Sequence, residues 1–239
     1  MDLNQPRFYC KSIARIGETL KLDTSEARHL SGPRRHRAGD QVALFDGQGT
    51  VGVAEVEKIK GRGAEVTLRV KKLDQEPKPV RPLVLAAALP SRERVGVMLD
   101  MATQIGMSDF IPLVSERSGK PDRKLPTERW LRIFIEACKQ SRRAWVPRLH
   151  NPHSLDEVVN WARSQQLKMV LAHPGGDAAE VHRGQGERPE VVIVGPEGGF
   201  TDSEVERAGL QGVQTIDLGS SILRVETAAV VMLTLTGVG

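Results

Sequence analysis

The 239 residues contain only two cysteines, Cys10 and Cys138, far apart and in no metal-ligand spacing. They read as two cytoplasmic thiols rather than a disulfide. The six histidines (29, 36, 150, 153, 173 and 182) never form His-Glu-x-x-His, and Asn151-Pro152 breaks any helix that would join His150 to His153. No metal site is expected. No apolar run reaches the roughly 18 residues of a membrane span. The start, Met1-Asp2-Leu3-Asn4-Gln5-Pro6, lacks the basic-then-apolar order of a signal peptide, so a cytoplasmic protein is expected. Ser220-Ser221 has no Gly-x-Ser-x-Gly elbow around it. Aromatic residues make up 4% of the chain, and Trp130, Phe134 and Trp145 read as core or dimer contacts rather than base-stacking platforms.

Hydrophobic residues account for 39% of the chain, which suits a packed core in one large or two modest domains. The net charge is +4. Residues 1–75 carry all of it, with 14 Lys/Arg against 10 Asp/Glu, and the remainder is balanced. Arg28, His29, Arg34, Arg35, His36 and Arg37 lie in a run with no acid between Glu26 and Asp40. A second basic stretch spans 117–148. Such patches favour a polyanion, and the acid-free run points toward nucleic acid rather than a merely solvated face.

Residues 7–73 read as short strands and turns. Gln41–Phe45 leads into Asp46-Gly47-Gln48-Gly49, a hairpin signal. Asp23 to Leu30 predicts one short helix, and the whole predicts a small β-barrel domain. Residues 75–82, Gln-Glu-Pro-Lys-Pro-Val-Arg-Pro, form a proline-rich linker, so domains are expected at 1–75 and 76–239. Beyond the linker, strands and helices alternate. Strands are predicted at 83–89, 110–114, 168–172, 191–194 and 214–218, and helices at 92–105, 127–141, 155–165, 202–208 and 226–235. That pattern predicts an α/β fold with a mostly parallel sheet covered on both faces. Residues 175–189 read as a flexible surface loop.

Two loops carry the chemistry. Val191–Val194 is a β-branched run, followed by Gly195-Pro196-Glu197-Gly198-Gly199-Phe200. Thr201 with Glu204 three positions on then reads as a capping box that opens a helix. The loop lacks the Gly-Lys-Ser/Thr ending of a P-loop and is not Gly-x-Gly-x-x-Gly, which argues against a nucleoside triphosphate. Glycines beside a strand end still allow a ligand close to the backbone, and such ends are where open α/β sheets bind ligands. Leu218 to Ala228 forms the second loop, with Arg224 and Glu226 just before an apolar helix. Taken singly, Glu197 reads as an exposed carboxylate, and Glu226 or Thr227 as a helix cap.

Together the loops resemble those of the SPOUT methyltransferases, most closely the RsmE-type family, which methylates N3 of a uridine in 16S ribosomal RNA. Gly195-Pro196-Glu197-Gly198-Gly199, Leu218-Gly219, Ile222-Leu223-Arg224 and Glu226-Thr227-Ala228 match its two cofactor signatures. Arg7-Phe8-Tyr9, Arg28-His29-Leu30 and Leu44-Phe45-Asp46-Gly47 resemble its N-terminal PUA-like RNA-binding domain. Ser115-Glu116-Arg117, Ala137-Cys138-Lys139-Gln140 and Val146-Pro147 resemble its central segments.

The resemblance implies a C-terminal SPOUT α/β domain with a trefoil knot and a homodimer acting on 16S ribosomal RNA or the small ribosomal subunit. It implies S-adenosyl-L-methionine as methyl donor, in a site near 171–228. Leu171, Ala172, His173, Gly195, Pro196, Glu197, Gly198, Gly199, Leu218, Gly219, Ile222, Leu223 and Thr227 would hold it, mostly through backbone groups. Arg224 would stabilise charge developing on the uridine carbonyls, with Glu197 or Glu226 as proton acceptor if burial raises its pKa. Arg7, Arg28, Arg34, Arg35, Arg37, Arg142 and Arg143 would contact RNA. The chain departs from the family at Met101 and Gln104 (usually Lys and Glu), at Lys139 and Arg142 (Glu and Gly), and at Ser221 (Arg). Two rivals remain: a SPOUT enzyme methylating a ribose 2′-oxygen, and a non-catalytic RNA-binding protein that kept the fold.

Overall fold

The computed structural model describes residues 5–32, 36–61, 65–118, 125–178 and 190–237. The chain divides into two compact units. Met1–Pro79 joins with Cys138–Val146, and Val80–Ala137 joins with Pro147–Gly239.

The first unit contains β1 (Arg7–Tyr9), β2 (Thr19–Lys21), α1 (Thr24–Ser31), β3 (Gln41–Phe45), β4 (Thr50–Lys60) and β5 (Glu65–Gln75). The strands form one sheet in the order β1-β3-β4-β5-β2. The expected hairpin pairs Phe45 with Val51 across the Asp46–Gly49 turn. There the Asp46 carboxylate accepts from Gln48 N–H at 2.7 Å and Thr50 N–H at 3.0 Å. Asp23 caps α1 by accepting from the N–H groups of Ser25 and Glu26. Alternate residues of β4 and β5 point inward, so Ala54, Val56, Val66 and Leu68 join Phe8, Leu30 and Leu44 in a core. Burying each of the larger side chains contributes about 1.5–3 kcal/mol.

The second unit begins with β6 (Val84–Ala88), α2 (Arg92–Ile105), β7 (Asp109–Val114) and α3 (Thr127–Ser141), whose last turn belongs to the first unit. Then come β8 (Arg148–Leu149), β9 (His153–Ser154), α4 (Leu155–Ser164), β10 (Met169–Ala178), β11 (Val191–Val194), α5 (Asp202–Leu210), β12 (Gln214–Asp217) and α6 (Val225–Gly237). The order is β12-β10-β11-β6-β7-β8, with β9 also on β7, and every pairing is parallel. All residues of β6 and β11 are buried, which is why these strands read as apolar runs without alternation.

β10 runs further than the sequence suggests. Ala172 and Asp177 both pair with Ile216 of β12, so His173–Gly176 bulges out of the ladder. Gly175 to Ala178 thus lie in a strand, correcting their expected place in a flexible loop. The rest of that loop, 179–189, lies outside the described residues. No helix among the described residues is long and apolar enough to cross a membrane.

Candidate active site

Because β10 lies between β11 and β12, its bulge sits between the loops that leave those two strands. The three segments enclose an open cleft of about 230 Å³. Ala172, His173 and Pro174 line it from β10; Gly195, Pro196, Glu197, Gly199 and Phe200 from the first loop; and Asp217 to Leu223 from the second. Val194, Val225 and Ala228 complete it. Of the expected cofactor residues, three do not line the cleft. Leu171 is fully buried in the core, Gly198 turns its carbonyl toward Arg117, and Thr227 is exposed.

The first loop is held by packing and by its own backbone. Phe200 is buried, and its ring lies where a side chain on Gly195 would go, since a Cβ there would stand 2.8 Å from Cε2. Gly199 has φ +68°, which favours glycine, and its N–H donates to the Pro196 carbonyl at 2.8 Å. The capping box forms as expected. The Thr201 hydroxyl accepts from Glu204 N–H, and Glu204 Oε2 accepts from Thr201 N–H at 2.8 Å. The buried Glu204 also accepts from Glu116 N–H at 2.9 Å.

Asp217 joins the other two walls. Its carboxylate accepts from Gly175 N–H at 2.9 Å and from Gly219 N–H at 2.8 Å. These two amides, Gly175 first, hold its carboxyl below the usual aspartate value against a small opposing effect of desolvation. Sequence reasoning missed Asp217, although Asp-Leu-Gly ahead of a loop is the signature of an Asx turn. It also missed Pro174, Val194, Phe200 and Val225 among the residues that line the cleft.

Arg224 is exposed on the second loop, and its carbonyl accepts from Ala228 N–H at 2.8 Å in the opening turn of α6. Glu197 lines the cleft but is exposed, so the burial required of a proton acceptor is missing there. Glu226 is 8% exposed. Its Oε1 lies 3.8 Å from Arg94 Nε, and its Oε2 is buried with no hydrogen-bond partner among the described residues.

The chain and its fold have counterparts among known proteins. The RNA methyltransferase domain family matches residues 76–237, and the RNA methyltransferase PUA domain matches 22–69. The ribosomal RNA small subunit methyltransferase E of Synechocystis is 30% identical over 91% of this chain and 72% of its own length. That of Mycobacterium tuberculosis is 30% identical over 97% of this chain and 90% of its own.

The chain belongs to the ribosomal RNA small subunit methyltransferase E family.

Solved structures agree. The Neisseria gonorrhoeae member, bound to S-adenosyl methionine, is 27% identical with a TM-score of 0.83, covering 96% of this chain and 95% of that one. A Legionella pneumophila methyltransferase with bound cofactor gives 28% and 0.82, covering 98% and 97%.

Within this family frame the basic residues divide. Arg28 and Arg37 are exposed, and Arg34 and Arg35 lie outside the described residues. Arg7 is 7% exposed, with its guanidinium carbon 4.6 Å from the Phe45 ring centre, so it packs inside the first unit rather than meeting solvent. Arg142 is half-buried at φ +61°. Arg143 is half-buried, and burial lowers its pKa.

One departure acquires a local reason. Lys139 Nζ lies 2.8 Å from Glu26 Oε1, and both side chains are under 10% exposed. A buried glutamate in α1 needs a cation nearby, and Lys139 supplies it. Gln104 donates to Asp100 at 2.8 Å on the exposed side of α2. Nothing in the structure explains Met101 or Ser221. Both cysteines are buried and free, and burial pushes Cys10 up to about 12 and Cys138 to about 11. No group of metal-binding side chains occurs among the described residues.

Proposed function

We propose that this protein transfers the methyl group of S-adenosyl-L-methionine to N3 of a uridine in 16S ribosomal RNA. The observation that carries the reading is the cleft itself: three loops, rich in glycine and backbone groups, converging at one edge of a parallel sheet. A mostly apolar cleft with a few placed polar groups suits an adenosyl ligand. Ala172, His173, Gly195 to Glu197, Gly199 and Leu218 to Leu223 are the residues that would hold it. The bound cofactor supplies an electrophilic methyl carbon on a sulfonium.

The chain's own residues have three tasks. The loop backbones fix orientation, a contribution that reaches several kcal/mol when reacting atoms are aligned. Arg224 places a permanent positive charge where a uridine carbonyl becomes negative as N3 loses its proton. Glu226, buried and half-unpartnered, fits a proton acceptor better than the exposed Glu197. Arg28, Arg37 and the basic run around them would position RNA through its phosphates. The homodimer, the trefoil knot and a cytoplasmic location beside the small ribosomal subunit belong to the same reading.

Mapping methylated uridines in 16S ribosomal RNA from cells with and without this protein tests the proposal. The modification should vanish with the gene and return with it, and an unchanged pattern refutes the proposal. Digesting the product to nucleosides separates a methylated base from a methylated ribose. Light scattering on the purified protein reads the oligomeric state, for which a dimer is expected.

A further inference from the structure

The mechanism leaves Arg117 without a role. It is exposed, it follows β7, and its Nη1 donates to two carbonyls of the first loop: Gly198 at 2.9 Å and Phe200 at 3.1 Å. No carboxylate competes for it in an ion pair among the described residues. We infer that Arg117 is a positioning residue for the methyl-donor site, setting the peptide orientations of the Gly195–Phe200 loop from its outer side. The inference rests on the proposed function for the identity of the ligand.

The argument is geometric. In a planar trans peptide the C=O and the following N–H point in opposite directions. Fixing the Gly198 carbonyl therefore fixes where Gly199 N–H points, and that amide meets the Pro196 carbonyl at 2.8 Å. Fixing the Phe200 carbonyl fixes Thr201 N–H in the same way, and that amide meets Glu204 Oε2 at 2.8 Å. Two peptide units, with one between them, are thus gripped at both ends, one end by the same guanidinium. The residue beside Arg117 ties in as well. Glu116 N–H donates to Glu204, and the Glu116 carboxylate accepts from Thr201 at 3.3 Å and from Arg207 at 3.3 Å. One short segment after β7 thus holds both the loop and the start of α5. Arginine suits the task because Nη1 carries two N–H donors fixed in the plane of a rigid guanidinium, one for each carbonyl, whereas a lysine's ammonium turns freely on a flexible stem.

The test compares wild type, R117A and R117K. S-adenosyl-L-methionine binding is measured by calorimetry, hydrogen exchange across 195–205 without ligand, and melting by circular dichroism. R117A should bind the cofactor about tenfold to a hundredfold more weakly, the loss expected when charge-assisted hydrogen bonds are removed. It should exchange faster across 195–205 alone, and R117K should recover part of both. A folded R117A with wild-type affinity overturns the inference. So does a fall in melting temperature with exchange raised evenly over the chain, since that marks a general structural role. Should R117A fail to fold, R117K decides alone: wild-type affinity and exchange there refute positioning by the guanidinium. If wild type itself binds no S-adenosyl-L-methionine, the proposed function fails, while hydrogen exchange still decides whether Arg117 orders the loop.

Discussion

Gly195 and Asp217 show how single residues decide the site. The Phe200 ring occupies the space above Gly195, so a methyl group there must displace a buried aromatic. Gly195→Ala is expected to lower cofactor affinity at least tenfold and to cost about 1–3 kcal/mol of stability, read by calorimetry and urea unfolding. Asp217 acts through its charge, because its partners are two backbone amides on separate segments. Asp217→Asn keeps one acceptor oxygen but loses the anion, so cofactor binding should weaken with little change in melting temperature. The depressed Asp217 pKa means that its contribution is complete above the unfolded aspartate pKa of about 3.9 and is lost as pH falls through the lower folded value. The glycines and Glu197 were visible in the sequence because glycine at a strand end has few other uses. Asp217 and Arg117 were harder to see, since each also holds the backbone of a distant segment, Gly175 for Asp217 and Gly198 with Phe200 for Arg117. Arg224→Ala tests the charge assigned to the second loop. Methylation should fall about 100- to 1000-fold with cofactor affinity kept, as single-turnover rates would show.

The elements follow local rules, and where those rules are strong the sequence is legible. Helices α2 and α3 have the bounds the sequence predicts, and so does strand β11. Capping boxes open both α4 and α5, at Ser154 and Thr201. Thr201→Ala should cost about 1 kcal/mol and lower the melting temperature by about 2–4 °C, measured by calorimetry. It should also loosen the cleft, because the same threonine ends the cofactor loop. The two-residue strands β8 and β9 were not visible, being too short for any periodicity. The β10 bulge was not visible either. Pro174-Gly175-Gly176 reads as the end of a strand, and only pairing with β12 on both sides shows that the strand resumes. A second acid-sensitive contact lies where β7 begins. Asp109 is partly buried, which alone would raise its pKa, but hydrogen bonds from His150 and Ser108 outweigh burial and hold it low. Asp109→Asn should flatten the loss of stability below about pH 4, followed by urea unfolding at a series of pH values.

At the scale of the whole molecule, charge and connectivity matter most. The positive charge collects in the unit that carries the PUA match, with 18 Lys/Arg against 11 Asp/Glu, while the unit with the cleft is slightly negative, with 16 against 19. Ligand linkage gives a global measure of the proposed cofactor. At a hundredfold excess over its Kd, S-adenosyl-L-methionine should add about 2.7 kcal/mol to stability, visible as a rise in melting temperature. The assignment of Cys138–Val146 to the first unit has a further consequence. In that segment Trp145 Nε1 donates to the carbonyls of Glu76 and Pro77, and Val146 N–H donates to Gly47. The main chain therefore passes from one unit to the other three times, not once. A protease nick in the linker leaves residues 1–79 as a separate chain held to the 138–146 strip by non-covalent contacts alone, and neither unit can be cut out as a contiguous cassette. A gene fusion that borrowed residues 1–79 alone would carry the PUA-matching module with one of its own strips missing, so exchange of this module between proteins demands two coordinated splices.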